Sequence, residues 1–141
     1  MQRITAHEML MRMAHIAAMR GTCNRKQVGC VIAQDTRVIS HGYVGSPPGL
    51  PHCLDESCII DPRTGGCIRT QHSEMNAIAY AARKGIAIQG SKLYVTLSPC
   101  IACAKAIITA GIVEVYYAEE YRDTEPLKYL NRAGVKTCHM E

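Results

Sequence analysis

A chain of 141 residues is one domain's worth, with room for a single core. Apolar residues make up 48% and charged residues 20%, which excludes a disordered chain. The net charge of +4 suits a phosphate-bearing small molecule, and without Trp or Phe for base stacking it argues against stable nucleic-acid binding.

Taken in chain order, Thr5 through Arg20 reads as a helix. Thr5 and Glu8 make a capping box, Met9, Leu10, Met13, Ala14 and Ala17 form an apolar stripe, and Gly21 is the stop. The stretch 28–33 is a buried strand, and a turn at 34–36 leads into an antiparallel strand over 37–43. His72 to Lys84 is a second helix with Met75, Ile78, Ala79 and Ala82 on one face and Gly85 at its end. A strand over 92–97 follows. Pro99 occupies the first turn of a helix over 100–110, which Gly111 ends. A strand over 112–117, a short helix over 125–133 and a weak strand over 135–138 complete the chain. Alternating elements with short connections predict an α/β layered domain spanning 1–141 around a mixed sheet. Residues 45–71 have neither helical nor strand period, and a loop this long is usually functional.

Eight Cys would suggest disulfides in a secreted domain, but Arg12 and His15 break the one apolar stretch near the start, so no signal sequence is read there. No apolar run is long enough for a membrane span. A reduced, cytoplasmic chain using thiols for metal is the expectation (a host's cytoplasm, if the chain is viral). Cys100 and Cys103 stand in a C-x-x-C run after Pro99, and His72 and Glu74 in an H-x-E run. One imidazole and two thiolates can hold zinc with its fourth position open. A helix N-terminus favours both thiolates, and zinc would lower the pKa of its water to about 7. Glu74 is then the general acid and base. Each piece has a bland alternative: a redox pair, a capping histidine, a carboxylate facing a helix dipole. H-x-E with P-C-x-x-C is nonetheless the signature of zinc nucleobase deaminases. A zinc-stabilised module without catalysis is the other class, and it would need a fourth protein ligand that the sequence does not supply.

At these residues the chain resembles the deoxycytidylate (dCMP) deaminases of the cytidine deaminase superfamily. The matching stretches are 28–32, 42–47, 72–78, 94–100 and 115–117. The resemblance implies a three-layer α/β/α sandwich with a mixed five-stranded sheet. It implies hydrolysis of dCMP to dUMP and ammonia ahead of thymidylate synthesis, with zinc on His72, Cys100 and Cys103 and Glu74 as proton shuttle. It further implies a homo-oligomer, often a hexamer, under control by dCTP and dTTP. Some relatives carry a second, structural zinc, which would match Cys23, Cys53, Cys58 and Cys67, with His52 competing as a ligand. Two residues depart from the family pattern. Ser73 replaces the usual Ala, placing a hydroxyl near the pyrimidine edge. Val44 replaces an Asn that contacts the sugar, so sugar selection is expected to be altered or relaxed, and dCTP, a 5-substituted dCMP or a nucleoside are alternative substrates. Ser98 and Tyr121 are further candidates for the substrate site, and Arg25, Lys26, Arg122 and Lys128 for its phosphate.

Overall fold

The computed structural model describes residues 1–140. Thr5 caps α1 (Ala6–Ala18) by accepting the Glu8 N–H at 3.1 Å. β1 (Gly29–Gln34) and β2 (Arg37–Tyr43) form the expected hairpin, turned by Asp35 at φ 55°. A short helix, α2 (Cys53–Glu56), lies inside the long loop, where no element was expected. Then follow α3 (Ser73–Lys84), β3 (Lys92–Leu97), α4 (Ile101–Thr109), β4 (Glu114–Glu119), α5 (Glu125–Arg132) and β5 (Lys136–His139). Among the described residues no helix is long and apolar enough to cross a membrane.

The five strands form one sheet in the order β2-β1-β3-β4-β5. β1 runs antiparallel to β2 and β3, while β3, β4 and β5 are parallel, so the sheet is mixed. Strand side chains alternate between faces, and each face has its own core. Ile32, Leu93, Val95 and Val115 meet Ala77 and Ala81 of α3, Ile107 of α4 and Leu130 of α5. On the opposite face Val31, Tyr94 and Tyr116 meet Leu10, Met11 and Ala14 of α1. This is the three-layer α/β/α sandwich that the resemblance implies.

Two helices sit unusually close to the sheet because two strand residues lack a side chain. A Cβ on Gly29 would stand 2.3 Å from the Ala14 carbonyl of α1, and one on Gly42 would stand 2.4 Å from the Ser73 carbonyl of α3. The close approach changes which helix faces are buried. α3 buries Ser73, Glu74, Ala77 and Ala81, while on the apolar face read from the sequence Met75, Ala79 and Ala82 are exposed and Ile78 is only partly buried. α1 likewise buries Met11 and Ala18 and leaves Met13 exposed. Where the backbones touch, at Ala14 and Ala18 of α1 and at Ser73 and Ala77 of α3, only small residues fit.

Candidate metal centre and cleft

Three helix-terminal features converge where the parallel strands end. His72 is the N-cap residue of α3, and Cys100 is the N-cap of α4, so Pro99 precedes the helix and does not lie in its first turn. Neither side chain makes a capping hydrogen bond, which leaves both free for other work. The His72 Nδ1 atom lies 3.3 Å from Cys100 Sγ and 3.5 Å from Cys103 Sγ. Nitrogen and sulfur on one tetrahedral zinc stand about 3.5 Å apart, so the donor set and its spacing fit that ion. All three ligand atoms lie within 4.8 Å of one another, and among the described residues no other acid, His or Cys joins them. The Cys103 thiol and His72 hold Cys100 down to about 4 against the cost of burial. Cys103 is pushed up, first by the hydrogen bond to Cys100 and then by burial. His72 is raised, chiefly by that same Cys100 sulfur. A thiolate and an imidazole already in contact are the chemistry of a metal grip.

Glu74 lies one helical step further in, 4% exposed, and burial raises its pKa. The Ser73 hydroxyl donates to Glu74 Oε1 at 2.7 Å. Ser73 itself is fully buried and does not line the cleft, so its hydroxyl serves the carboxylate and not a pyrimidine edge. The Cys30 thiol donates to the Ser73 carbonyl at 3.3 Å.

His72, Glu74 and Cys100 open onto a cleft of about 360 Å³. Val28, Val44 and Leu97 line its apolar part, and Arg25 and Lys26 supply its charge. Val44 spends its backbone N–H on Val28 and its carbonyl on Thr22, so only an isopropyl group is left for the cleft. Ser98 and Tyr121 also line it, and the Ser98 hydroxyl accepts the Tyr121 N–H at 2.7 Å, pinning the segment that carries the ring. Arg122 is exposed and is not brought to the cleft, and Lys128 pairs with Glu125 at 3.1 Å.

A second thiol group forms in the long loop, whose base is closed by a bridge between Gly45 and Gln71. Cys23 and Cys58 lie 4.0 Å apart and Cys53 and Cys67 3.5 Å apart, bracketing the roughly 3.8 Å between sulfurs on one tetrahedral zinc. Burial pushes Cys53 up to about 12. Cys67 falls to about 6 in spite of burial, because the Arg69, Ile59 and Thr70 N–H groups and the Cys53 thiol point at its sulfur. His52 stands apart, half-exposed and 3.9 Å from Asp55. His72, Cys100 and Cys103 could hold zinc, and so could Cys23, Cys53 and Cys58, whose sulfurs lie within 4.8 Å of one another; Cys67 reaches Cys53 but is not that near to all three.

The sandwich and its His–Cys–Cys corner with a buried glutamate define the class of zinc-centred deaminases. Residues 4–119 match the cytidine and deoxycytidylate deaminase zinc-binding region, and the chain belongs to that family. It is 44% identical to ComE operon protein 2 of Bacillus subtilis, over all of this chain and 74% of that one. It is 33% identical to the deoxycytidylate deaminase of Enterobacteria phage T4, over 93% of this chain and 88% of that one. The dCMP deaminase of cyanophage S-TIM5, solved with dCMP and dUMP, superposes with a TM-score of 0.85 at 30% identity over 99% of this chain and all of that one.

Proposed function

We propose that this chain catalyses the hydrolytic deamination of dCMP to dUMP and ammonia. The observation that carries it is a three-ligand group, with no fourth protein ligand among the described residues, sharing one cleft with a buried carboxylate. A structural zinc site would be closed by four side chains. His72, Cys100 and Cys103 would hold the ion, which supplies Lewis acidity and an acidified water. Glu74 would take a proton from the attacking water as its oxygen adds to C4 of the cytosine. It passes protons to the ring nitrogen and to the departing amine, so that one water is consumed and one ammonia leaves. The Ser73 hydroxyl donates to Oε1 and so fixes one edge of the shuttling carboxylate. Arg25 and Lys26 meet the 5′-phosphate, Tyr121 covers the base, and Val44 gives the sugar an apolar wall that cannot read a hydroxyl.

The relatives named deoxycytidylate deaminase and the neighbour solved with dCMP and dUMP support this reading. With it go a cytoplasmic homo-oligomer, control by dCTP and dTTP, and a structural zinc in the loop. The test is ammonia release from dCMP, CMP, dCTP, deoxycytidine and 5-methyl-dCMP, with and without chelator. Glu74→Gln is expected to keep its metal and its melting temperature while losing about 10²–10⁴-fold in kcat on dCMP. A variant that retains turnover removes Glu74 from the mechanism, and a wild type inert on every substrate removes the enzyme reading.

A further inference from the structure

Cys23, Cys53, Cys58 and Cys67 take no part in the reaction just described, yet Cys23 and Cys67 form part of the wall of the same cleft. Arg25 and Lys26 line it with them. Arg25 follows Cys23 by two residues and donates from Nη1 to the carbonyl of Gly65, two residues before Cys67, at 2.9 Å. Lys26 is the next residue along. The segment from Thr22 to Gln27 that carries both cations belongs to no helix or strand. Its backbone is tied at one end: Thr22 donates to the Val44 carbonyl at 3.0 Å, and its own carbonyl accepts the Leu54 N–H at 3.3 Å. Beyond Thr22, the fastenings are the Cys23 sulfur in the thiol group, the Cys58 thiol donating to Asn24 Oδ1 at 3.8 Å, and the Arg25 bond to the loop.

The far partner in both fastenings is no firmer by itself. The loop from Ser46 to Thr70 crosses from one bridge partner to the other with one short helix and one isolated bridge, between Ile60 and Cys67. Ordering so long a segment costs conformational entropy that few of its own contacts offset. By contrast, His72, Glu74, Cys100 and Cys103 belong to the starts of α3 and α4, which are packed on the sheet.

We infer that a divalent ion held by Cys23, Cys53 and Cys58, with Cys67 beside Cys53, sets the position of Arg25 and Lys26, so that this second ion governs recognition of the substrate's phosphate and not only the stability of the loop. This rests on reading the cleft as the nucleotide site. Loss of the ion therefore weakens binding of a nucleotide, spares a nucleoside, and leaves the chemical step intact. The Arg25–Gly65 bond transmits the effect, and Cys58 is the thiol to change, because it belongs to the group without lining the cleft.

The experiment compares wild type, Cys58→Ser, Arg25→Ala and the double variant as purified, zinc-loaded proteins. Bound zinc is counted, dissociation constants for dUMP and deoxyuridine are measured by calorimetry, and KM and kcat are measured on dCMP. Cys58→Ser is expected to lose one of its zinc ions and bind dUMP about tenfold more weakly, the worth of one charge-assisted hydrogen bond. Its deoxyuridine affinity stays within about twofold, and on dCMP its KM rises while kcat holds. Arg25→Ala keeps its zinc and shows the same dUMP loss, and the double variant loses no more than either single one, as for residues acting through one contact. Unchanged dUMP affinity after loss of that zinc overturns the inference, as does a double variant in which the two losses multiply. Should Cys58→Ser not fold, Cys58→His, which keeps a weaker zinc ligand, is titrated with zinc. A dUMP affinity that does not climb with the second equivalent is then the overturning result. A wild type that binds dUMP but does not turn over dCMP sinks the proposed reaction and leaves this coupling to be judged on the binding data.

Discussion

A serine hydroxyl cut off from water has to find its acceptor inside the protein, and that of Ser73 finds Oε1 of Glu74. Rotation about the last bond of a glutamate side chain is broad and roughly two-fold, so a donor on one oxygen narrows the carboxylate's orientations. Ser73 is itself held by the Cys30 thiol on its carbonyl and by the close backbone of Gly42. Ser73→Ala is expected to lower kcat on dCMP about tenfold, the rate equivalent of one hydrogen bond to a charged group. KM, zinc content and melting temperature should hold, and Ser73→Thr should recover part of the loss. An unchanged kcat would leave the hydroxyl as packing alone. On the far face of the sheet Glu114 stands between Lys92 and Lys136, at 3.7 and 3.8 Å, and accepts a hydrogen bond from Tyr116. The Tyr116 hydroxyl and these two ammonium groups hold its carboxyl below the usual carboxylate range. A depressed folded-state pKa contributes stability above the unfolded value near about 4.3 and loses it as pH falls through the folded value. Glu114→Gln should therefore melt about 3 °C lower at pH 7. The gap should close as pH falls below about 4, where the unfolded carboxyl protonates too.

At the scale of helices and strands, the site depends on how near α3 can come to β2. A methyl group on Gly42 would meet the Ser73 carbonyl at 2.4 Å and the Ala77 nitrogen at 2.7 Å, both of them backbone atoms that cannot rotate away. Gly42→Ala is expected to cost about 1–3 kcal/mol in denaturant unfolding. It should also cut activity beyond that loss, because the helix that must move carries His72 at its cap and Glu74 in its first turn. Full activity in a destabilised variant would mean that the helix yields elsewhere. The same closeness explains what was legible in the sequence. Element types and order followed from period and from punctuation such as Thr5, Gly85 and Gly111. The thiol pair followed from spacing, because thiols three apart at a helix start share a face, and His72 and Glu74 joined it through the H-x-E and P-C-x-x-C signature. The buried face of α3 was not legible, since periodicity scores large apolar residues and this face is built from Ser, Glu and Ala. Nor was the fate of the Ser73 hydroxyl, or the absence of Arg122 from the cleft, since each depends on a contact that only the fold creates.

For the whole molecule, the two groups of possible zinc ligands have unequal structural burdens. Around the first, α3 and α4 are secured to the sheet by the larger of the two cores, with Ala77, Ala81, Ala104 and Ile107 all buried. Around the second, the loop has Cys53 as its one deeply buried apolar residue, while Leu50, Leu54, Ile59, Ile60 and Ile68 are exposed. A segment with so little apolar burial opens at low free energy unless something else ties it. Metal binding that occurs only in the ordered state adds its free energy to that ordering. Arg69 reports on the ordering. Its side chain is 14% exposed, donates to the Ser57 carbonyl at 2.9 Å and lies 3.7 Å from Glu56, whereas Arg63 on the same loop is 88% exposed. In the zinc-loaded protein, limited trypsin digestion should therefore cut after Arg63 and spare Arg69. After treatment with a strong chelator, cleavage after Arg69 should appear, while the fragments that carry the sheet stay associated and retain their strand signal by circular dichroism. Excess zinc added before the protease should restore protection. Cleavage at Arg69 that ignores the metal would mean that the loop is ordered by its own contacts, and the two thiol pairs would then be ordinary packing at one edge of the cleft.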